Sequence, residues 1–302
     1  RRAGDRRSGE QAGRAGSGRR VSTIRELLAR APARLTAAGI ESARADARIL
    51  LAAATQRCAG EIVAGGEIPT VEQAATFEML LERRERREPV AYLTGQKEFW
   101  SLPFRVGPGV LIPRPETETL IEEAIRTFRD RTAPLQMLDL GTGSGCILIA
   151  ALSEYPEAGG TGTDRSEAAL EYARLNAADL GVRDRCRLML ADWNDGVTGG
   201  YDLIFSNPPY VGAGEIEALD PDVANHEPHS ALTDGQDALS AYRALAPRIR
   251  SALNPSGWAF VELGAGQAAP VKTIFESGGL EVRRIAPDLS GIPRCIAATR
   301  RA

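Results

Sequence analysis

"LQMLDLGTGSGCILIAALSEY" occupies residues 135–155. Its first six residues form a short apolar run, suited to a buried strand. Glycines then stand at alternate positions, 141, 143 and 145. Glycine there permits a sharp turn and close approach of backbone to a ligand. An apolar helical stretch follows from Gly145, and its first N–H groups and positive dipole end face that turn. The pattern is GxGxG rather than the GxGxxG of dinucleotide folds, and a lone glycine loop is a weak signal. Its sequel strengthens it. "GTGTD" (160–164) reads as the next strand and ends in Asp164, 23 residues after Gly141. An acid at that point can accept both hydroxyls of a ribose. Asp139, Gly141, Thr142, Gly143, Ser144, Gly145 and Asp164 are therefore candidate cofactor contacts.

The alternation continues outward. "SEAALEYARLNAADLG" reads as a helix with Gly181 at its C-cap, and "CRLMLAD" and "YDLIFS" as strands. "DALSAYRALAPRIRSAL" is helical, "GWAFVEL" a strand, and "GQAAPVKTIFESGG" helical. "LEVRRIAPD" and "PRCIAATRR" close the chain as an antiparallel pair. Short buried strands alternating with helices predict a doubly wound α/β sheet, with ligands at the carboxyl ends of its strands.

The fourth strand ends in Asn207-Pro208-Pro209-Tyr210. Two prolines fix φ and carry no N–H, so they stop a strand and leave a rigid turn. With the glycine loop and the strand-end acid, this resembles class I S-adenosylmethionine-dependent methyltransferases, a Rossmann-like fold. The resemblance implies that S-adenosyl-L-methionine binds and leaves as S-adenosyl-L-homocysteine. On that fold Trp193 can stack on adenine, with Asp192 beside the exocyclic amine. A planar amide or arylamine nitrogen is a poor nucleophile because its lone pair is delocalised. The Asn207 side-chain oxygen and the Pro208 carbonyl would orient its NH₂ group and stabilise the positive charge that develops there. Tyr210 can pack on the acceptor's flat face. That chemistry fits glutamine amide, adenine N6 or cytosine N4.

Upstream, residues 21–88 read as a small helical domain. Thr23 with Glu26 and Thr70 with Gln73 form capping boxes. Ser42 can cap a helix on which Ile49, Leu50 and Ala53 share a face, and Pro89 ends the last helix. Residues 89–112 read as strands punctuated by Gly and Pro, a β-hairpin linker. The catalytic domain is then 113–302.

The 302 residues are 43% hydrophobic, ordinary for a globular protein, and carry net charge −3. That charge is uneven. Residues 1–20 hold seven Arg against Asp5 and Glu10, leaving −8 on the rest. The basic stretch has too little apolar bulk to order itself, so disorder is expected there. There is no apolar run long enough to span a membrane, no secretory h-region, and no Cys/His cluster. Cys58, Cys146, Cys186 and Cys295 are scattered. A cytoplasmic protein without metal or membrane attachment is the expectation.

"REPVAYLTGQKEFWSLPFRVGPGVLIPRPETETLIE" (87–122), with the glycine loop, "NPPYV" and "HEPHSALTDGQDALSAYRAL", closely resembles the HemK/PrmC family. These are protein-(glutamine-N5) methyltransferases of class 1 peptide-chain release factors. The resemblance covers residues 22–302. It implies a helical domain that helps bind the release factor, a hairpin linker and a catalytic domain acting on the Gln of a Gly-Gly-Gln motif. Its Pro-Arg-Pro-Glu form, with Arg114 and Glu116 as candidate substrate contacts, is similar to the release-factor branch rather than the ribosomal-protein branch. His226 stands where the family often has Tyr, and no catalytic role is expected of it. An adenine-N6 DNA methyltransferase would need a base-flipping platform, which an acidic chain without a basic recognition segment disfavours. A non-enzymatic RNA-binding module would have no reason to keep Asp139, the glycine loop, Asp164 and the Asn-Pro-Pro-Tyr turn together.

Overall fold

Thr23 Oγ1 accepts from the Glu26 N–H at 3.2 Å, and the Glu26 carboxylate accepts from the Thr23 N–H at 2.8 Å. This capping box starts the first helix of a computed structural model that describes residues 23–64 and 68–301. The basic stretch 1–20 lies outside them. The chain divides into two units, the first ending at Glu82 and the second running from Arg83.

The first unit holds α1 (Ile24–Ala37), α2 (Ala43–Thr55), α3 (Ala59–Ala64) and most of α4 (Val71–Glu85). Its core is the 3–4 spaced stripe Ile24, Leu27, Ala31 and Leu35 of α1, with Leu50 and Leu51 of α2 and Phe77 and Leu81 of α4. Thr70 and Gln73 form the second capping box at 2.9 and 3.2 Å. Two expectations fail on α2. Ile49 is 47% exposed and Ala53 is exposed, while the buried face is Ala43, Ala47, Leu50 and Ala54. Positions 49 and 53 lie one turn apart on the solvent side. Ser42 makes no side-chain cap bond, because its backbone (φ −79°, ψ 15°) is not the extended form that aims a hydroxyl at the first turn.

In the second unit, Pro89 starts a helix instead of ending one: α4 already stops at Glu85, and Arg87 turns in the left-handed region at φ +68°. The Pro89 φ of −58° starts α5 (Val90–Thr94), which Gly95 closes in the left-handed region at φ +73°. The expected strands over 90–112 therefore shrink to β1 (Gln96–Phe99) and β2 (Leu102–Arg105), an antiparallel hairpin. Its tight turn puts both Trp100 and Ser101 at positive φ. Two bonds from Trp100 help offset that strain: its N–H donates to Glu118 and its Nε1–H to Glu154, each at 2.7 Å.

A 3-10 turn, Pro115–Thr117, leads into α6 (Glu118–Thr127), an element not read from the sequence. The remainder alternates: β3 (Gln136–Leu140), α7 (Cys146–Glu154), β4 (Gly159–Asp164), α8 (Glu167–Asp179), β5 (Cys186–Leu190) and β6 (Tyr201–Ser206). Then come α9 (Pro221–His226), α10 (His229–Leu232), α11 (Ser240–Ala252), β7 (Leu253–Glu262), α12 (Ala268–Ser277), β8 (Leu280–Pro287) and β9 (Pro293–Arg300). Strand order is β5-β4-β3-β6-β7-β9-β8. β5, β4, β3, β6 and β7 lie parallel in that order, β9 runs antiparallel to β7, and β8 and β9 form the expected antiparallel pair. Successive residues feed opposite faces: Met137, Leu203 and Phe205 enter the cluster with α7, whereas Leu138 and Ile204 enter the one with α11 and α12. Both faces are covered, as a parallel sheet requires.

From β3 the chain winds outward to β5, then crosses back to lay β6 on the other side of β3. The carboxyl ends of β3 and β6 therefore flank the topological switch point, where such sheets bind ligands. The Ser206 hydroxyl donates to the Leu140 carbonyl at 2.7 Å and ties those two ends together.

Candidate active site

A cavity of about 330 Å³ opens at this switch point. Gly141, Thr142, Gly143 and Ser144 form one wall, with Asp164, Asp192 and Trp193 beside them. Asn207, Pro209, Arg114 and Thr117 belong to the same lining. The glycine loop, Asp164, Asp192, Trp193 and Asn207 meet there because each ends, or follows, a parallel strand, and the segment before α6 adds Arg114 and Thr117.

The glycine loop is built for approach. Gly141 and Gly143 have φ of +75° and +56°. A side chain at Gly143 would meet nothing within 4 Å, so its surface faces open space. Gly145 differs. It caps α7 at φ +80°, and a Cβ there would lie 2.8 Å from Ile149 Cδ1 and 3.3 Å from Ala173 Cβ. It serves close packing of α7 on α8, and it does not line the cavity.

Asp164 accepts from the Gly143 N–H at 2.9 Å and from the Ser166 N–H at 2.8 Å. Burial still raises its pKa above the usual carboxylate range, against those two bonds. Asp139 lies behind the loop and is fully buried. Its Oδ2 accepts from the Thr142 hydroxyl at 2.6 Å, and among the described residues its Oδ1 has no partner. Burial pushes its pKa up to about 7, opposed by the Thr142 hydroxyl and helped by the charge of Asp164. The Ser144 hydroxyl is also buried and without a partner there. Asp192 is exposed, while Trp193 is partly buried and held at φ +54° with its ring beside Gly141.

The turn after β6 presents Asn207 and Pro209 to the cavity, with Pro208 buried behind them. Tyr210 does not reach the cavity wall. Its ring packs on the core, and its hydroxyl donates to Glu262 at 2.9 Å. Gln267 donates to the Tyr210 carbonyl at 2.9 Å. Tyr210 therefore braces the turn in place of the expected stacking face. Arg114 pairs with Glu227, which is 4% exposed and also accepts from the Ile112 N–H at 2.9 Å. That ion pair shapes the wall and satisfies the charge expected to meet substrate. Glu116 is exposed and outside the cavity lining. The His226 ring lies 3.2 Å from the Arg86 carbonyl, and His226 is not part of the lining either.

Sequence reasoning passed over Thr117, Glu227 and Glu262. Glu262 alone carries a signal, an acid inside the apolar run 258–263 that a buried strand would have to satisfy; Thr117 and Glu227 stand among polar neighbours and show none.

Two family models match the chain: the PrmC N-terminal domain over residues 26–95 and the methyltransferase small domain over 119–225. A release factor glutamine methyltransferase of Bradyrhizobium diazoefficiens is 43% identical over 94% of this chain and 96% of its own length. One from Cereibacter sphaeroides is 44% identical over 90% and 97%. A solved methyltransferase from Pyrococcus furiosus shares the fold, with a TM-score of 0.51 at 21% identity over 73% of this chain and 99% of that one. With near-complete coverage and the two domain models in sequence order, the chain belongs to the release factor glutamine methyltransferase family.

Proposed function

We propose that this protein transfers a methyl group from S-adenosyl-L-methionine to the side-chain nitrogen of the glutamine in the Gly-Gly-Gln motif of class 1 peptide-chain release factors. One observation carries the reading. The Asn207–Pro209 turn and the Gly141–Ser144 loop line one cavity at the switch point of the sheet. Methyl donor and acceptor can therefore share a single space.

The residues fit the cofactor. Gly143 is an open cradle that a Cβ would fill, and Ser144 Oγ and Asp139 Oδ1 are buried acceptors without partners among the described residues. Asp164 would hold the ribose, Trp193 would cover the adenine with Asp192 beside it, and Asp139 Oδ1 would offer a further acceptor behind the loop. The cofactor supplies an electrophilic methyl on a sulfonium.

Asn207 accepts a hydrogen bond from the acceptor amide, and a backbone carbonyl of the same turn, that of Pro208, takes the other N–H. These fixed dipoles hold the amide in line and stabilise the positive charge that grows on nitrogen. The nitrogen's extra proton becomes acidic after transfer and leaves to solvent, so no strong base is assigned. The helical unit contributes recognition of the protein substrate, and the work is done in the cytoplasm.

The test is transfer of labelled methyl from S-adenosyl-L-methionine to purified release factor, run beside duplex DNA and ribosomal protein. Label confined to the release factor, and absent when its motif Gln is replaced, supports the reading; label on DNA or ribosomal protein instead contradicts it. The cofactor assignment has its own check. Asp164→Ala removes charge-assisted bonds worth roughly 1.5–3 kcal/mol, so calorimetry should find binding weaker by about 10- to 100-fold.

A further inference from the structure

Behind the Asn-Pro-Pro-Tyr turn lies a carboxylate that touches neither cavity nor solvent. Glu262, at the end of β7, is 1% exposed. Its Oε2 accepts from the Thr117 hydroxyl at 2.5 Å, and its Oε1 accepts from the Tyr210 hydroxyl at 2.9 Å. The Asn207 Nδ2 donates to the same Thr117 oxygen at 3.3 Å. One buried acid thus holds both ends of the turn, Tyr210 directly and Asn207 through Thr117.

The order of donors fixes the order of atoms. A hydroxyl has one proton, and Thr117 spends its proton on Glu262. Toward Asn207 it can therefore only accept. Asn207 must turn its NH₂ to Thr117, which leaves Oδ1 for the cavity. The chain runs one way, from acceptor amide to Asn207 to Thr117 to Glu262. A charge at its far end polarises each link and strengthens Oδ1 as an acceptor. No proton has to move.

We infer that Glu262 and Thr117 are positioning residues for methyl transfer: together they set which atom of the Asn207 amide faces the acceptor nitrogen. This rests on the functional reading above. Thr117 lines the cavity but gives its hydroxyl inward, so its part is played through Asn207. Burying a carboxylate is costly, and an apolar residue would end β7 more stably. A directional role explains why an acid stands there.

The experiment compares Thr117→Val, Thr117→Ser and Glu262→Gln in the full chain, under single-turnover and steady-state methylation of purified release factor, with calorimetry of cofactor binding and thermal melting alongside. Val has the shape of Thr without its acceptor, so the Asn207 amide loses its direction. Gln can donate to Thr117, which sends the Thr117 proton toward Asn207 and reverses the amide. Both variants should lower kcat by about 10- to 100-fold, with KM for the release factor and cofactor affinity within about twofold. Thr117→Ser keeps the hydroxyl and should stay near the wild-type kcat. The Ser and Val pair decides the matter even where Glu262→Gln melts early. Wild-type kcat in Thr117→Val, or a raised KM at unchanged kcat, overturns the inference while the functional reading stands. If the wild-type chain leaves the motif Gln unmethylated, the functional reading falls and takes the positioning role with it.

Discussion

Asp139 carries the least obvious chemistry at the scale of single residues. Its folded pKa near 7 is well above the ordinary carboxylate value, because burial penalises its charge. The folded chain therefore holds a proton there that the unfolded chain has released between about pH 4 and 7. That contribution to stability is fully present below the unfolded pKa and is lost as pH rises through about 7. Asp139→Asn cannot titrate but keeps an oxygen for the Thr142 hydroxyl. The stability gap between wild type and variant, measured by denaturant unfolding without cofactor, should shift in favour of the variant from pH 5 to pH 7.5. A gap that stays constant would mean Asp139 is charged throughout. The sequence marks Asp139, Asp164 and Asn207 by their place at strand ends, and the structure has them at the carboxyl ends of β3, β4 and β6. Tyr210 and Arg114 were legible only as residue types. Which way a tyrosine ring or a guanidinium turns depends on a distant partner, Glu262 for one and Glu227 for the other.

At the scale of elements, glycine positions separate approach from packing. Gly141 and Gly143 face the cavity, whereas Gly145 lets α7 settle against Ala173 of α8. Gly145→Ala would force Ala to φ +80° and place its Cβ into Ile149 and Ala173. A loss of roughly 1–3 kcal/mol is expected, read as a lower melting temperature, with cofactor affinity less affected. Unchanged melting would show that the loop relaxes freely. Short apolar runs bounded by glycine, proline and polar residues made most strands of the sheet readable, and longer apolar or capped stretches the helices α1, α4, α7, α8, α11 and α12. The misses have physical causes. A proline after a charged helical stretch reads as a stop, yet Pro89 pre-sets the φ of a helix start. The short helices α9 and α10 lack a full amphipathic period, so nothing in their sequence separates them from loop.

For the whole molecule, the proposed function divides labour between the helical unit, for recognition of the protein substrate, and the sheet, for the chemistry. A chain beginning at Arg83 should bind S-adenosyl-L-methionine with near-wild-type affinity but methylate intact release factor with a KM raised about tenfold or more. Full efficiency in such a folded truncation would give the helices another role. The central claim is that the turn after β6 grips the glutamine nitrogen. It is tested most directly by single-turnover methylation of intact release factor at saturating cofactor, comparing wild type with folded Asn207→Ala. Losing one preorganised hydrogen-bonding group should slow transfer about 10²- to 10³-fold. A near-wild-type rate would contradict the account, because the acceptor would then sit elsewhere and the two prolines would merely end a strand.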